Sequence, residues 1–121
     1  MQFDFITVYV EKMEPMVQFY RDYLGLSLLR RQAIENGGEL AFFGEEGQPS
    51  IEVISSPANA GRSYDGFSIG IAVENLDEAV DKLAKLGHPI HRGPISPSPG
   101  TRFSFLRDPS GIEVQLIEHS S

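Results

Sequence analysis

An internal repeat constrains this sequence more than any other feature. Residues 8–11, VYVE, lead into one amphipathic segment, and residues 71–74, IAVE, lead into another 63 positions later. Residues 52–54, EVI, match residues 115–117, QLI, at the same offset of 63. A shared period at both ends of each half predicts two copies of one module. We place module 1 at about 1–55, a linker at about 56–63 and module 2 at about 64–121.

Each half contains one predicted amphipathic helix. Residues 15–24 place their apolar side chains on one face of a 3.6-residue period, and Gly25 suits the position just past the helix end. The second helix is predicted over residues 76–86, with Asn75 as N-cap and Glu78 at capping-box spacing. The helices align at the repeat offset, except that the first carries one extra residue before its glycine.

Alternating β-branched and aromatic residues predict four strands in each half. The order strand, helix, three strands occurs twice, which predicts an α+β fold built from two βαβββ modules. Residues 92–100, RGPISPSPG, hold three prolines and two glycines and are predicted to be a long loop, either covering a groove or forming a stiff surface connection. The predicted strands are residues 3–10, 26–33, 39–43, 50–55, 67–73, 88–91, 101–106 and 112–118.

Side chains alternate across a strand, so each strand divides its residues between two faces. The all-aliphatic set of each strand is expected to pack under the helices. The opposite set mixes polar residues with apolar ones, as a ligand cavity requires. A solvated sheet face or a dimer interface explains the same pattern equally well. The polar members of this set are Thr7, Glu52, Ser68 and Gln115, together with the phenol of Tyr9.

Composition excludes several classes of protein. The chain has 17 acidic and 10 basic residues, for a net charge of −7, and no clustered basic footprint for nucleic acid. It has no cysteine, no apolar run long enough for a membrane span and no signal-peptide pattern near its first residue, so we expect a cytoplasmic protein. The acidic balance either attracts a cationic ligand or serves only solubility.

Two segments resemble a known superfamily. Residues 19–26, FYRDYLGL, and residues 108–118, DPSGIEVQLIE, are similar to signatures of the glyoxalase/bleomycin resistance protein/dioxygenase (vicinal oxygen chelate) superfamily. The second opens with Asp, Pro and Gly at the first, second and fourth positions of a predicted type I turn. The resemblance implies two βαβββ modules whose curved mixed sheet forms a groove. It also implies a homodimer, with a groove inside one chain as the alternative.

The same resemblance implies where a metal would bind. The family positions for metal ligands fall here on Phe5, Glu52, Ser68 and Gln115. A catalytic divalent metal needs about three protein ligands, usually imidazole or carboxylate, and only Glu52 is a strong one. The histidines do not replace the missing ligands, because two follow the second helix and the third, His119, is expected in the C-terminal tail. We therefore predict no metal and no other cofactor.

Glu52 is the only candidate catalytic residue. A buried carboxylate on an apolar-flanked strand could act as a general base. The alternative is that Glu52 pairs with an arginine or binds water in an open groove. Arg30, Arg62 and Arg102 are the candidate partners.

Aromatic residues are expected to line part of a groove by stacking on a planar ligand. The candidates are Phe5, Tyr9, Phe42, Phe43, Tyr64, Phe103 and Phe105, and core packing is the alternative for about half of them. The predicted ligand-binding groove consists of Phe5, Thr7, Tyr9, Glu52, Ile54, Ser68, Gln115, Phe103 and Phe105.

Three functional hypotheses follow from this pattern. The first is a metal-independent protein that sequesters a small aromatic or cationic molecule, such as an antibiotic. The second is a lyase, isomerase or dioxygenase-like enzyme that uses Glu52 as a base or with a weakly held metal. The third is a domain that binds nothing specific. The lost ligands favour the first hypothesis over the second, and the retained polar residues favour it over the third.

Overall fold

A computed structural model describes residues 1–120 of the chain. These residues form two compact units, Met1–Arg62 (unit 1) and a second that begins at Ser63 (unit 2). Unit 1 contains β1 (Phe5–Val10), α1 (Glu14–Val17), a π-helical segment (Gln18–Tyr23), β2 (Ser27–Ala33), β3 (Glu39–Gly44) and β4 (Ser50–Ser55). Unit 2 contains β5 (Ser68–Ala72), α2 (Leu76–Lys85), β6 (Arg92–Ser98), β7 (Thr101–Arg107) and β8 (Glu113–His119). The predicted α+β fold of two βαβββ modules is confirmed.

The two sheets have the same topology. Their strand orders are β1-β4-β3-β2 and β5-β8-β7-β6, and in each sheet the first pair is parallel and the others antiparallel. Thr7 lies beside Glu52 in unit 1, and Gly70 lies beside Gln115 in unit 2. The residue numbers of the two pairs differ by the repeat offset of 63, so the parallel strand pairs β1–β4 and β5–β8 have equivalent registers.

One face of each sheet is closed by a helix. In unit 1, Phe19 and Tyr20 are fully buried, and the Tyr20 ring lies 5.8 Å from the ring of Phe43 on β3. In unit 2, α2 packs on β7 and β8 through the buried side chains of Leu76 and Leu83. Burying this apolar surface is the main term that stabilises each unit. Within residues 1–120, no helix has the length and apolar content needed to cross a membrane.

The first helix absorbs its extra residue in a π-turn. The backbone N–H of Leu24 donates to the carbonyl of Phe19, five residues back, at 2.9 Å. An i→i−5 bond accommodates one more residue per turn than an α-helix does. Gly25 then ends the helix at φ +81°, in the left-handed region that glycine adopts without strain.

The second helix is regular and capped. The Asn75 side chain accepts a hydrogen bond from the N–H of Glu78 at 3.0 Å, which confirms the predicted N-cap. Glu118 also accepts from the N–H of Leu76 at 2.8 Å, so two of the unpaired donors at this helix start are satisfied. Gly87, at φ +94°, follows the helix end.

Both helix starts are tied to their sheets by ion pairs. Arg31 bridges Glu14 at the start of α1 and Glu39 on β3, with 2.6 Å between Arg31 Nε and Glu39 Oε2. In unit 2 Asp77, the counterpart of Glu14, binds Arg102, the counterpart of Glu39, at 2.9 Å. The hydrogen bond from Arg31 lowers the pKa of Glu39, and that from Arg102 lowers the pKa of Asp77.

The predicted turn before β8 is confirmed. Gly111 N–H donates to the Asp108 carbonyl at 3.0 Å, which closes a four-residue turn. The Asp108 carboxylate accepts from the N–H groups of Ser110 and Ile112 at 2.7 and 3.0 Å. These bonds satisfy a carboxylate that is 4 % exposed and hold the hairpin of β7 and β8 closed.

Two predictions about the second half are wrong. Residues 88–91 are not a strand, and residues 92–100 are not a loop, because Arg92–Ser98 forms β6 beside β7. Prolines argued for a loop, but β6 is an edge strand, and an edge strand tolerates residues without an N–H. The tail position predicted for His119 is also wrong, since that residue ends β8 opposite Thr101.

Candidate functional site

Each sheet has an open face on the side away from its helix. Paired residues on neighbouring strands point to the same side, so strand register assigns the members of each face. In unit 1 the pairs Thr7–Glu52 and Tyr9–Ile54 lie on the open face. All nine residues of the predicted groove lie on the open face of one sheet or the other. They are Phe5, Thr7, Tyr9, Glu52 and Ile54 in unit 1, and Ser68, Phe103, Phe105 and Gln115 in unit 2.

The open face of unit 1 displays aromatic surface. Phe5 and Tyr9 on β1 are 42 % and 43 % exposed. The Phe5 ring meets Phe42 of β3 edge-to-face, with centroids 5.4 Å apart. Phe43, by contrast, is fully buried on the helix side, as the core-packing alternative predicts. Exposed rings held in fixed orientations provide surface for a flat ligand.

Glu52 is held by a hydroxyl, not by an arginine. Thr7 Oγ1 donates to Glu52 Oε1 at 2.6 Å, and the carboxylate is half-buried. Of the alternatives that the sequence left open, pairing with an arginine is not found within the described residues. The three candidates bind elsewhere: Arg30 to Gln32, Arg62 to Asn59, and Arg102 to Asp77.

A cation, the guanidinium of Arg62, lies over this face and is held there by the segment that follows β4. Asn59 is buried, and its amide donates to the carbonyls of Val10 and Ile54 at 3.2 and 3.4 Å. Its carbonyl oxygen accepts from Arg62 Nε at 3.0 Å. The Arg62 guanidinium lies 5.6 Å from the centre of the Tyr9 ring, a cation–π distance. Asn59 therefore positions Arg62 above the open face.

Unit 1 also contains a cavity of about 790 Å³ at the start of β1. Phe3, Phe5 and Phe42 form its aromatic wall, and Arg30 and Glu46 are among its charged members. This volume lies within the range of small-molecule pockets, about 300–1,000 Å³.

The open face of unit 2 has its aromatic residues on a different strand. Phe103 and Phe105 on β7 meet edge-to-face with centroids 5.5 Å apart. Ser68 on β5 and Gln115 on β8 occupy the positions equivalent to Phe5 and Glu52. The rest of β5 contributes only small groups to this face, Gly70 and Ala72.

Four polar residues on this face were missed by the sequence prediction. The Arg92 guanidinium carbon lies 3.8 Å above the Phe105 ring, and His91 Nε2 lies 2.9 Å from Glu113 Oε2. Arg107 and Glu113 are direct cross-strand partners. Alternation within the predicted strand 112–118 already gives Glu113 the same face as Gln115, although it was not named as a groove residue. Arg107 would have joined the Phe103 face had the predicted strand 101–106 been extended by one residue. Arg92 and His91 gave no signal, because their segment was taken for a loop and a separate short strand.

The residues present do not fit a catalytic divalent metal. Of the four family positions, Phe5 has no donor atom and is packed on Phe42, and Ser68 and Gln115 offer only neutral oxygens. One oxygen of Glu52 already accepts a hydrogen bond from Thr7. Among residues 1–120, no three His, Asp or Glu side chains are grouped closely enough to hold a metal ion.

Comparison with known proteins places this fold and face in a family. Residues 2–116 match the Glyoxalase/Bleomycin resistance protein/Dioxygenase superfamily. A probable lactoylglutathione lyase from Synechocystis sp. is 34 % identical over 119 residues, covering 93 % of this chain and 91 % of the relative. The lactoylglutathione lyase of Salmonella typhimurium is 32 % identical, covering 90 % and 86 %.

Solved structures show the same fold at lower identity. The trypanothione-dependent glyoxalase I of Leishmania major superposes with a TM-score of 0.79 at 24 % identity, covering 98 % of this chain and 86 % of that one. TnmS3, an antibiotic binding protein from Streptomyces sp. CB03234, has a TM-score of 0.73 at 20 % identity, covering 99 % and 97 %. With the fold, the repeat and the extent of the match in agreement, the chain belongs to the glyoxalase/bleomycin resistance protein/dioxygenase superfamily.

Proposed function

We propose that this protein binds a planar small molecule without a metal and acts by sequestering it. One observation carries the proposal: the position where family enzymes hold a metal ligand on β1 is occupied by Phe5, whose exposed ring is packed edge-to-face on Phe42. That position offers apolar aromatic surface and no electron pair. A ligand held there gains from stacking and burial, about 0.5–1.5 kcal/mol per aromatic pair beyond the buried area.

Both open faces support this proposal. The predicted groove residues supply exposed aromatic surface in unit 1, from Phe5 and Tyr9. In unit 2 they supply an edge-to-face aromatic pair, Phe103 and Phe105, of which Phe105 is buried. Glu52 and Thr7 in unit 1, and Ser68 and Gln115 in unit 2, supply the few polar groups that fix a ligand's orientation. We propose an antibiotic as the sequestered molecule, because TnmS3 shares this fold and is an antibiotic binding protein.

The proposal has three further features. The repeat predicts modules at about 1–55 and 64–121 joined by a linker at about 56–63, and composition predicts a cytoplasmic location. The family resemblance implies a homodimer. An analytical ultracentrifugation run at several concentrations tests the dimer, since a dimer dissociates on dilution according to its Kd.

A glyoxalase-type lyase is the second candidate. The Synechocystis relative is named a probable lactoylglutathione lyase and the Salmonella typhimurium relative a lactoylglutathione lyase. This chain has Glu52 at one of the family's ligand positions. In this function Glu52 would serve as a general base, held in place by the Thr7 hydroxyl at 2.6 Å.

Metal analysis with an activity assay separates the two candidates. The untagged protein is analysed for bound metal, titrated with Zn²⁺, Ni²⁺, Mn²⁺ and Fe²⁺ in a thermal-shift assay, and tested for lactoylglutathione lyase activity. We expect no stoichiometric metal, no rise in melting temperature and no turnover, and we expect a planar antibiotic from a screening panel to raise the melting temperature.

The variant Glu52→Gln sharpens the result. Sequestration of a neutral ring should survive this change, whereas an enzyme that depends on the carboxylate should lose turnover. Glu11→Gln, at an exposed glutamate next to the end of β1, is the charge-matched control. One metal per site that is lost in Glu52→Gln, or turnover that is lost there and kept in Glu11→Gln, would establish the lyase and refute the proposal.

A further inference from the structure

We infer that the open face of unit 2 carries an anion-binding subsite formed by Arg92 and Arg107, so that the bound planar molecule bears a carboxylate. The inference rests on the proposed binding function and names the class of ligand. Both guanidinium groups line one cavity of about 390 Å³, together with Ser68 and Glu113. A guanidinium recognises a planar carboxylate through two parallel N–H donors.

Arg92 is fixed in orientation without using its donors. Its guanidinium carbon lies 3.8 Å above the Phe105 ring, which is stacking distance. Arg92 forms an ion pair with Glu113, in which Arg92 Nη2 lies 3.8 Å from Glu113 Oε1. That separation is too long for a hydrogen bond. Stacking holds the plane of the group, and no hydrogen bond within the described residues uses its N–H donors.

Arg107 is fixed by a different contact. Its Nη1 donates to the carbonyl of Gly111 at 2.9 Å, which anchors one arm of the guanidinium on the turn before β8. The other donors of the group remain available to the cavity that Arg107 and Arg92 share. Holding both groups in place before binding reduces the entropy that a ligand must overcome.

The carboxylates of the cavity are already engaged by the protein. Glu113 Oε2 lies 2.9 Å from His91 Nε2, and Asp65 Oδ1 accepts from the N–H of Gly66 at 2.9 Å. Neither forms a hydrogen bond with Arg92 or Arg107 in the described residues. The guanidinium donors that these carboxylates leave unused are therefore open to the carboxylate of a ligand, although the whole chain has a net charge of −7.

The subsite is specific to unit 2. At the repeat offset, Gly44 and Ser50 are the counterparts of Arg107 and Glu113, so unit 1 lacks this arrangement. Unit 1 does have an arginine beside the equivalent phenylalanine, since Arg30 pairs with Phe42 across the strands as Arg92 pairs with Phe105. Arg30, however, donates to Gln32 at 2.7 Å.

Three probes that share one ring system test the inference: 2-naphthoate, the neutral 2-naphthamide and the cationic 2-naphthylmethylammonium. Their dissociation constants for the wild-type protein are measured by calorimetry at fixed ionic strength. We expect 2-naphthoate to bind about 10-fold more tightly than the amide, because charge-assisted hydrogen bonds are roughly twice as strong as neutral ones. Arg92→Gln and Arg107→Gln should each remove most of that preference.

Arg102→Gln is the matched control. Arg102 lies on the same strand, β7, but on the helix face, where it binds Asp77. The change removes one positive charge without touching the cavity, so the preference for 2-naphthoate should persist. Circular dichroism of each variant shows whether it is folded, and the ratio of two dissociation constants measured on one sample is insensitive to a loss of active protein.

The outcomes separate this inference from the proposed function. Equal affinity for 2-naphthoate and 2-naphthamide would overturn the anion subsite and leave binding of planar molecules intact. Tighter binding of the ammonium probe would overturn it by reversing the sign of the charge. An equal loss of preference in Arg102→Gln would reduce the effect to net charge and also overturn it. If no probe binds, both the subsite and the proposed binding of aromatic molecules fail.

Discussion

The two units share a backbone plan but divide their bulky side chains differently. Phe5 and Tyr9 on the first strand of unit 1 correspond to Ser68 and Ala72 on the first strand of unit 2. In unit 2 the aromatic side chains of this face lie on β7 instead, at Phe103 and the buried Phe105. A repeat therefore preserves strand register while each copy acquires its own chemistry on the open face.

The helix sides differ as well. Four residues of the first helical region are buried, Met16, Val17, Phe19 and Tyr20, whereas α2 buries only Leu76 and Leu83. The first helical region of unit 1 thus contributes more buried side chains to its core than α2 contributes to that of unit 2. Changes made at equivalent positions should reveal this imbalance.

The largest effect is expected from truncating the equivalent core residues Phe43 and Leu106. Both are fully buried, and Phe43 also packs against Tyr20. Phe43→Ala should lower the free energy of unfolding by about 3–5 kcal/mol and Leu106→Ala by about 2–5 kcal/mol. Urea unfolding followed by circular dichroism measures both. A loss below about 1 kcal/mol in either variant would contradict the assignment of that residue to a core.

Single-residue deletions should separate the two helices. Deleting Asp81 rotates the following Leu83 by about 100° away from the sheet, at a cost of about 2–5 kcal/mol. Deleting Asp22 removes the extra residue from the π-turn and leaves the buried residues before it in place. This second deletion should cost no more than about 1 kcal/mol. Equal shifts in the two urea midpoints would refute the view that the π-turn only absorbs an insertion.

Removing a hydroxyl from unit 2 and adding one at the equivalent position of unit 1 should change the stabilities of the two units in opposite directions. Ser104 is fully buried and its Oγ has no hydrogen-bond partner in the described residues, whereas its counterpart is the fully buried Ala41. Ser104→Ala should stabilise unit 2 by up to about 1 kcal/mol, and Ala41→Ser should destabilise unit 1 by about 1–3 kcal/mol. Thermal denaturation of both variants tests the pair, and a destabilised Ser104→Ala would show that the hydroxyl is satisfied.

The smallest expected effect is a change in how stability depends on pH. Arg31 lowers the pKa of Glu39 below its ordinary value of 4.5. Because the pKa of Glu39 is lowered on folding, its ionisation stabilises the folded state at pH values above 4.5. That contribution disappears as the pH falls through the lowered pKa of Glu39. Arg31→Gln should therefore make stability less dependent on pH between about 5 and 2, by at most about 1 kcal/mol because the pair is exposed. An unchanged acid profile would show that the pair contributes nothing.

Much of the fold could be predicted because local patterns and the repeat agree. The strand predicted at residues 50–55 has those bounds, and the Asn75 cap and the turn at Asp108 formed as their residue types require. The repeat offset also predicts the parallel ladders, since Thr7–Glu52 becomes Gly70–Gln115 in the second copy. Register and turn chemistry are short-range properties that a sequence displays directly.

The contacts of the candidate site could not be predicted in the same way. The partner of Glu52 depends on which residue of β1 lies opposite it, and the sequence suggested three arginines as candidates but not Thr7. The stacking of Arg92 on Phe105 depends on β6, whose prolines resemble those of a loop. Such contacts arise between strands that are distant in sequence. Composition does not indicate which residues of two such strands lie opposite each other.

The π-turn of the first helix affects which insertions and deletions the gene can tolerate. The added residue is absorbed before Gly25, and β2 then resumes its pairing with β3. A gain or loss of one codon at this helix end therefore leaves every ladder of the unit in frame. Duplicated halves of a gene can drift apart in length at such a place while each still encodes the same sheet.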